Sequence, residues 1–428
     1  MLRRIVAIAA IFFGASLAWA ILGSTIFLRT DSAGSSLSGR VASTWGAAQE
    51  QAAPEVQYVW TESQTVTAEE NGKKTTREEK KEHSHEVSLD SSRVEAQLHV
   101  DYRQKGLLWF STYTVAFHGE HAFHNPTSAE QIFVFRLPLP AEQAVYDGLS
   151  VSLDGKPLSL TFGGSDVSAR AVLPGGGRGV LTTAYHSQGQ KSWRYHFGQS
   201  RGGVASASGN AGISQANDFH MTIKTDFSGF DFPDNSLSPT EKRKTGDGWQ
   251  LHWDYQNLVS GYDIALTMPE KLQPGPLAGE ISYFAPVSLL FFFFIVFVLS
   301  ELRGIELHPM NYFFLAGAFF AFHLLLAYLA DHISIHAAFV ISSLVSIVLV
   351  VSYLRLVVDL RFAAVEAGLT QLLYLVLFSY AFFFEGFTGL TVTIGTILTL
   401  FVVMQMTGRI RWEEKFSPSI QRKGALPA

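Results

Sequence analysis

The sequence predicts a membrane protein of α plus β class, with six transmembrane helices, one N-terminal and five C-terminal, and a large extracytoplasmic all-β sandwich-like domain. Three observations predict it. From Ser282 to Thr407 nearly every residue is apolar, and the charges fall at regular interruptions: 301–306, 331–336, 359–366 and Glu385. A second apolar run, Ile5–Leu28, follows a short basic N-terminus containing Arg3 and Arg4. Between the two, short stretches alternate apolar and polar residues with the period of a strand, and turn residues punctuate them.

Each apolar block has the length that an α-helix needs to cross about 30 Å of hydrocarbon. Phe284–Leu299 shows no polar face, which a soluble amphipathic helix would have. The blocks place the spans at 5–28, 282–300, 311–330, 337–358, 367–384 and 388–407. Residues 1–4 form a cytoplasmic N-terminus and 408–428 a cytoplasmic tail. The first block has two readings, an uncleaved anchor or a cleaved signal, because Ser16–Ala20 resembles a small-x-small cleavage site. The anchor is favoured, since the apolar run continues past that site to Leu28.

Lysine and arginine set the orientation. With the N-terminus inside, the inside segments hold Arg3, Arg4, Arg303, Arg361 and the tail cluster Arg409, Arg411, Lys415, Arg422 and Lys423. The short outside loops hold none. Residues 29–280 then lie outside the cytoplasmic membrane.

In that region 29–55 reads as a Ser/Gly/Ala-rich linker, 56–268 as the β-sandwich domain and 269–281 as a proline-rich tether. Val94, Ala96, Leu98, Val100 and Tyr102 share one strand face, and Trp109, Ser111, Tyr113, Val115 and Phe117 another. Asp154-Gly155 between alternating pieces signals a hairpin. The stretches 198–217 and 233–248 lack a core pattern.

The chain has no cysteine, which excludes disulfides, thiolate nucleophiles and Cys-ligated metals. No basic stripe suggests nucleic acid. Motifs for phosphate binding, Ser nucleophiles or zinc proteolysis are missing, so the expectation is a non-enzyme without a cofactor.

Candidate site residues are few. His118, His121 and His124, beside Glu120, form a weak candidate metal site; on a strand, residues three apart point to opposite faces, so only a turn after Phe117 lets them converge. Within the membrane half the polar residues are costly unless paired. His323 lies in mid-span, and Asp331, His332, His336 and Glu385 lie near the outer ends of spans. This polar cluster supports an alternative reading, a transporter or channel accessory subunit.

Glu301-Leu-Arg-Gly-Ile-Glu-Leu-His308-Pro309-Met-Asn-Tyr312, then Phe322-His-Leu-Leu-Leu326, Leu329-Ala-Asp331-His332 and Arg409-Ile-Arg411-Trp412, resemble the inner-membrane CreD family. The resemblance covers the membrane half. It implies one N-terminal span, a large periplasmic domain and a C-terminal bundle in the bacterial inner membrane. It also implies a part in cell-envelope integrity or envelope-stress response, with no enzymatic activity. The family-motif residues are His308, Pro309 and Tyr312, and the His-Pro pair reads as a helix start, because Pro is preorganised for a first turn. The leading reading is that the β domain binds or senses an envelope component, so the expected partners are the lipid bilayer and another envelope protein or a cell-wall component.

Overall fold

The computed structural model describes residues 2–70, 73–105, 108–141, 144–197, 214–384 and 386–408. Most of the stretch 198–217 and all but the first residue of the 408–428 tail fall outside these residues. The chain forms two compact units. One comprises Met1–Ser35, Gly106–Leu108 and Leu272–Ala428, the other Ser36–Lys105 and Trp109–Lys271.

The first unit is helical. Among the described residues, six helices are long and apolar enough to cross a membrane. Helix α1 (Leu2–Thr44) is continuous, where the sequence suggested a span at 5–28 and then a linker at 29–55. The expectation of a linker fails because 29–44 contains no proline, and Ser, Ala, Leu and Arg extend a helix that the apolar run has already nucleated. The helix ends at Gly46, whose φ of 141° suits only glycine and whose absent Cβ would lie 2.2 Å from the Gln188 carbonyl oxygen.

Helix α2 (Pro274–Arg303) starts inside the expected 269–281 tether. Prolines in the first turn lack only an N–H that has no intrahelical partner there, so they begin the helix rather than delay it. Gly304, at φ 69°, closes it. Helices α3 (Pro309–Leu329) and α4 (Ile335–Leu354) follow within a few residues of expectation. Helix α5 (Phe362–Phe383) starts before residue 367 and contains two π-helical turns, Phe362–Ala367 and Leu372–Leu377. Helix α6 is Thr388–Thr407. Trp19, Leu289, Phe292, Phe319, Phe322 and Leu375 belong to one buried core. On α6, Ile394, Ile397, Leu398 and Phe401 are exposed, an apolar surface suited to lipid.

The second unit is built from strands. They begin with β1 (Gln49–Ala52), the long hairpin β2 (Glu55–Glu70) and β3 (Lys73–Glu86), and a second hairpin, β4 (Ser91–Lys105) and β5 (Leu108–His124). Next come β6 (Gln131–Pro138), β7 (Tyr146–Leu153), β8 (Lys156–Pro157), β9 (Leu160–Phe162) and β10 (Asp166–Leu173). The last are β11 (Arg178–Gln190), β12 (Ser192–His196), β13 (Ser214–Thr225), β14 (Glu241–Thr245), β15 (Gly248–Ser260) and β16 (Ile264–Thr267). Asp154 and Gly155 have φ of 49° and 75°, so Asp-Gly makes the expected tight turn between β7 and β8.

Three sheets result, where a sandwich would have two. The large one runs β14-β15-β13-β4-β5-β11-β7-β8, the second β3-β2-β6-β10-β9, and the third β1-β12-β16. The β4–β13 and β1–β12 pairs are parallel. The two smaller sheets cover one face of the large sheet. Val94, Tyr113, Phe117 and Ile223 pack with Trp193 and Leu266 of the third sheet, while Phe123, Leu153 and Leu181 pack with Phe133 and Leu137 of the second. Even-numbered side chains therefore point inward on β4 (94, 96 and 98) but outward on β5 and β11, where 115, 117, 181 and 185 point inward.

Candidate functional site

The uncovered face of the large sheet holds an open trough of about 630 Å³. Its floor is Thr114 and Ala116 of β5, and longer side chains stand on both sides. Ala116 is directly opposite His186 and Thr114 opposite Gln188 on β11, while Lys224 of β13 is opposite Gln97 of β4. The depression exists because short side chains on β5 lie between longer ones on β4 and β11.

Most charges in the trough are paired, whereas Asp147 has no cation beside it among the described residues. Lys224 Nζ lies 2.6 Å from Glu95 Oε1, and Gln97 Nε2 donates to the same oxygen at 2.8 Å. The Lys224 hydrogen bond, followed by that from Gln97, holds the Glu95 carboxyl below its ordinary range. His99 Nδ1 bonds to the Asp226 carboxylate at the rim. His186 is opposite Asp147 on β7. Beyond these pairs the trough offers the Gln188 amide, the Thr114 hydroxyl, the His186 imidazole and the Asp147 carboxylate, with Ala116 and the exposed Val145 as its apolar patches.

The three histidines of β5 do not converge. No turn follows Phe117; β5 runs straight on to His124. His118 and His124 are exposed on one face, next to Glu120 (3.4 Å) and Asp90 (2.9 Å) respectively. His121 is fully buried on the other, with Nδ1 3.0 Å from Ser92 Oγ, and burial pushes its imidazole down to about 3. Among the described residues, no group of three or more His, Asp and Glu side chains is placed to hold a metal ion.

The polar residues of the helical unit separate too. His323 is buried; its Nδ1 lies 2.9 Å from the Phe319 carbonyl oxygen and its ring stands edge-on to Trp19, with centroids 5.6 Å apart. Asp331 instead accepts from Arg29 Nη2 at 2.9 and 3.0 Å. His332 lies exposed in the turn after α3, and the His336 ring lies 5.1 Å from that of Phe383. Glu385 lies outside the described residues. Eight positions of helix put His323 about 12 Å from Asp331 along the axis, so one site does not contain both.

The family-motif residues open α3. His308 is its N-cap, with Nδ1 accepting from Met310 N at 3.2 Å, and Pro309 occupies the first helical position. Tyr312 is buried with its ring edge-on to Phe293. Sequence reasoning missed three contacts: Arg4 with Glu301 (2.7 Å), Gln371 with Ser346 (2.8 Å) and Arg29 with Asp331. The trough was half legible, because alternation separated the faces of β4 and β5 but did not say which strands were neighbours.

No curated protein sequence matches the chain. Among solved structures, a candidate nutrient-binding protein of Legionella pneumophila shares 10% identity, with 58% of this chain and 76% of that chain covered at a TM-score of 0.33. An M1 zinc metallopeptidase of Deinococcus radiodurans shares 12% identity at a TM-score of 0.25, and the match covers 42% of each chain, less than half the metallopeptidase's length. Scores this low carry no argument about function. The membrane half is different: residues 281–413, from within α2 to just beyond α6, match the family described as inner membrane protein CreD.

Proposed function

We propose that this chain is a six-span protein of the bacterial inner membrane whose β unit lies on the periplasmic side and binds a component of the cell envelope, contributing to envelope integrity or stress response by contact rather than by catalysis. The observation that carries the reading is the trough, a concave surface of mixed polar and apolar lining on a sheet packed from behind. The distribution of arginine and lysine supports the orientation, with both termini cytoplasmic. The ion pairs of α1 support its role as a span. Arg4 and Arg29 lie about 37 Å apart along the helix, which brackets a hydrocarbon layer of about 30 Å. The transporter reading draws no support from a shared site, since His323 Nδ1 and Asp331 have separate partners.

The lack of native cysteine makes the test clean. Single cysteines at Thr161 and Lys415 are probed in intact spheroplasts with a membrane-impermeant maleimide. Labelling at 161 with protection at 415 is expected; the reverse would end the proposed topology. For binding, a photo-crosslinking amino acid at Thr114 in living cells should give an adduct that the same group at Thr161 does not. No adduct from position 114 refutes a binding role for the trough.

A further inference from the structure

We propose that the trough takes a neutral glycan segment, a saccharide bearing hydroxyl and acetamido groups; this inference rests on the binding role proposed above. The charges decide against an anionic ligand. Lys224 is matched by Glu95 and Asp226 bonds to His99, while Asp147 adds a carboxylate with no cation beside it among the described residues, an acceptor of the kind that sugar hydroxyls donate to. An anion would have to break the Lys224 pair to find a cation.

The remaining groups decide against a lipid tail or an apolar helix. Gln97 and Gln188 each offer both an amide donor and an acceptor, Thr114 a hydroxyl, and His186 a ring nitrogen of each kind when neutral. Such a set matches a ligand that also carries donors and acceptors on neighbouring atoms. A sugar ring does so around its rim, and an acetamido group adds a carbonyl and an N–H. A pyranose also has a C–H face, and Ala116 on the floor with Val145 at the edge supplies a small apolar surface for it.

The geometry agrees with an extended ligand. The trough crosses β13, β4, β5 and β11, neighbours about 4.8 Å apart, so it spans roughly 14 Å of sheet, room for two or three sugar rings. It is open along its length rather than closed over one residue, as a site for the interior of a chain must be. The side chains stand on a sheet whose other face is packed by Val94, Tyr113, Phe117 and Tyr185, so the floor is held rigid before the ligand arrives.

The experiment uses the full chain in lipid nanodiscs, titrated by calorimetry with the β-1,4-linked tetramer of N-acetylglucosamine. Saturable binding is expected, weakened about tenfold or more, or about 1.4 kcal/mol, by Ala116→Trp, which fills the floor. The double variant Gln97→Ala, Gln188→Ala keeps the test open if the tryptophan disturbs folding, and thermal unfolding of each variant reports that directly. No binding of the tetramer to the unaltered chain, or equal binding to all variants, overturns the glycan assignment. The in-cell adduct at Thr114 separates the two levels. An adduct that a muramidase digests supports the glycan. An adduct that only protease removes overturns the glycan while the binding role stands, and no adduct removes both.

Discussion

His196 stands between two carboxylates, with Nδ1 2.9 Å from Asp263 and Nε2 3.3 Å from Glu50. Burial alone would push its imidazole down, but the hydrogen bonds to Asp263 and Glu50 outweigh it and hold the group up at about 9. The folded value therefore lies above the ordinary 6.5, and the sign follows. The contribution to stability is complete below about 6.5 and is lost as pH rises through about 9. Side-chain exposure of 27% limits its size to roughly 1–3 kcal/mol. The urea midpoint of the β unit should fall across that window, and His196→Gln should flatten the slope. An equal slope in both proteins would show that this bridge is not its source. Nothing in the sequence marks His196, because its partners come from β1 and from the turn before β16.

At the scale of elements, α1 shows how a long apolar helix is fixed in a bundle. Arg4 and Arg29 bind Glu301 and Asp331, and between them Trp19 is fully buried against Phe320 and His323. Removing the indole leaves a cavity, which for large-to-small changes costs about 3–5 kcal/mol. Trp19→Ala should lower the thermal midpoint of the detergent-solubilised protein by several degrees, with Trp19→Phe in between. Among the described residues the indole N–H has no hydrogen-bond partner, so phenylalanine loses packing but no hydrogen bond. A midpoint unchanged in Trp19→Ala would mean that α1 contributes little to the bundle. Alternation and span length made most elements legible; the misplaced ends, at 29–44 and 274–281, are where helix cooperativity and first-turn prolines overrode composition.

At the scale of the whole molecule, the hairpin β2–β3 outruns its sheet. β2 pairs with β6 only over residues 55–59, whereas β2 and β3 pair with each other as far as Glu70 and Lys73. Among the described residues, the outer part of this ribbon has no third strand. Two strands alone are marginally stable in water, so backbone amides at 61–69 and 74–82 should exchange with deuterium orders of magnitude faster than those at 57–59. Equal protection along the ribbon would reveal a partner covering it, and a dimer-dependent loss of that protection on dilution would identify a second copy.

The sequence by itself determined that the chain is partly apolar helices of spanning length and partly sheet, because span length and strand alternation are carried by residues close together in the chain. It also placed the start of α3, since capping by His308 and Pro309 is a matter of neighbouring backbone groups. Only the tertiary structure decided that His323 and Asp331 have separate partners, that β5 runs past Phe117 without the turn its histidines would need to converge, and that Gln97, Ala116, His186 and Lys224 share one trough. Those outcomes depend on which helices pack and which strands pair, and such choices are set by burial summed over distant segments, with no local signature to announce them.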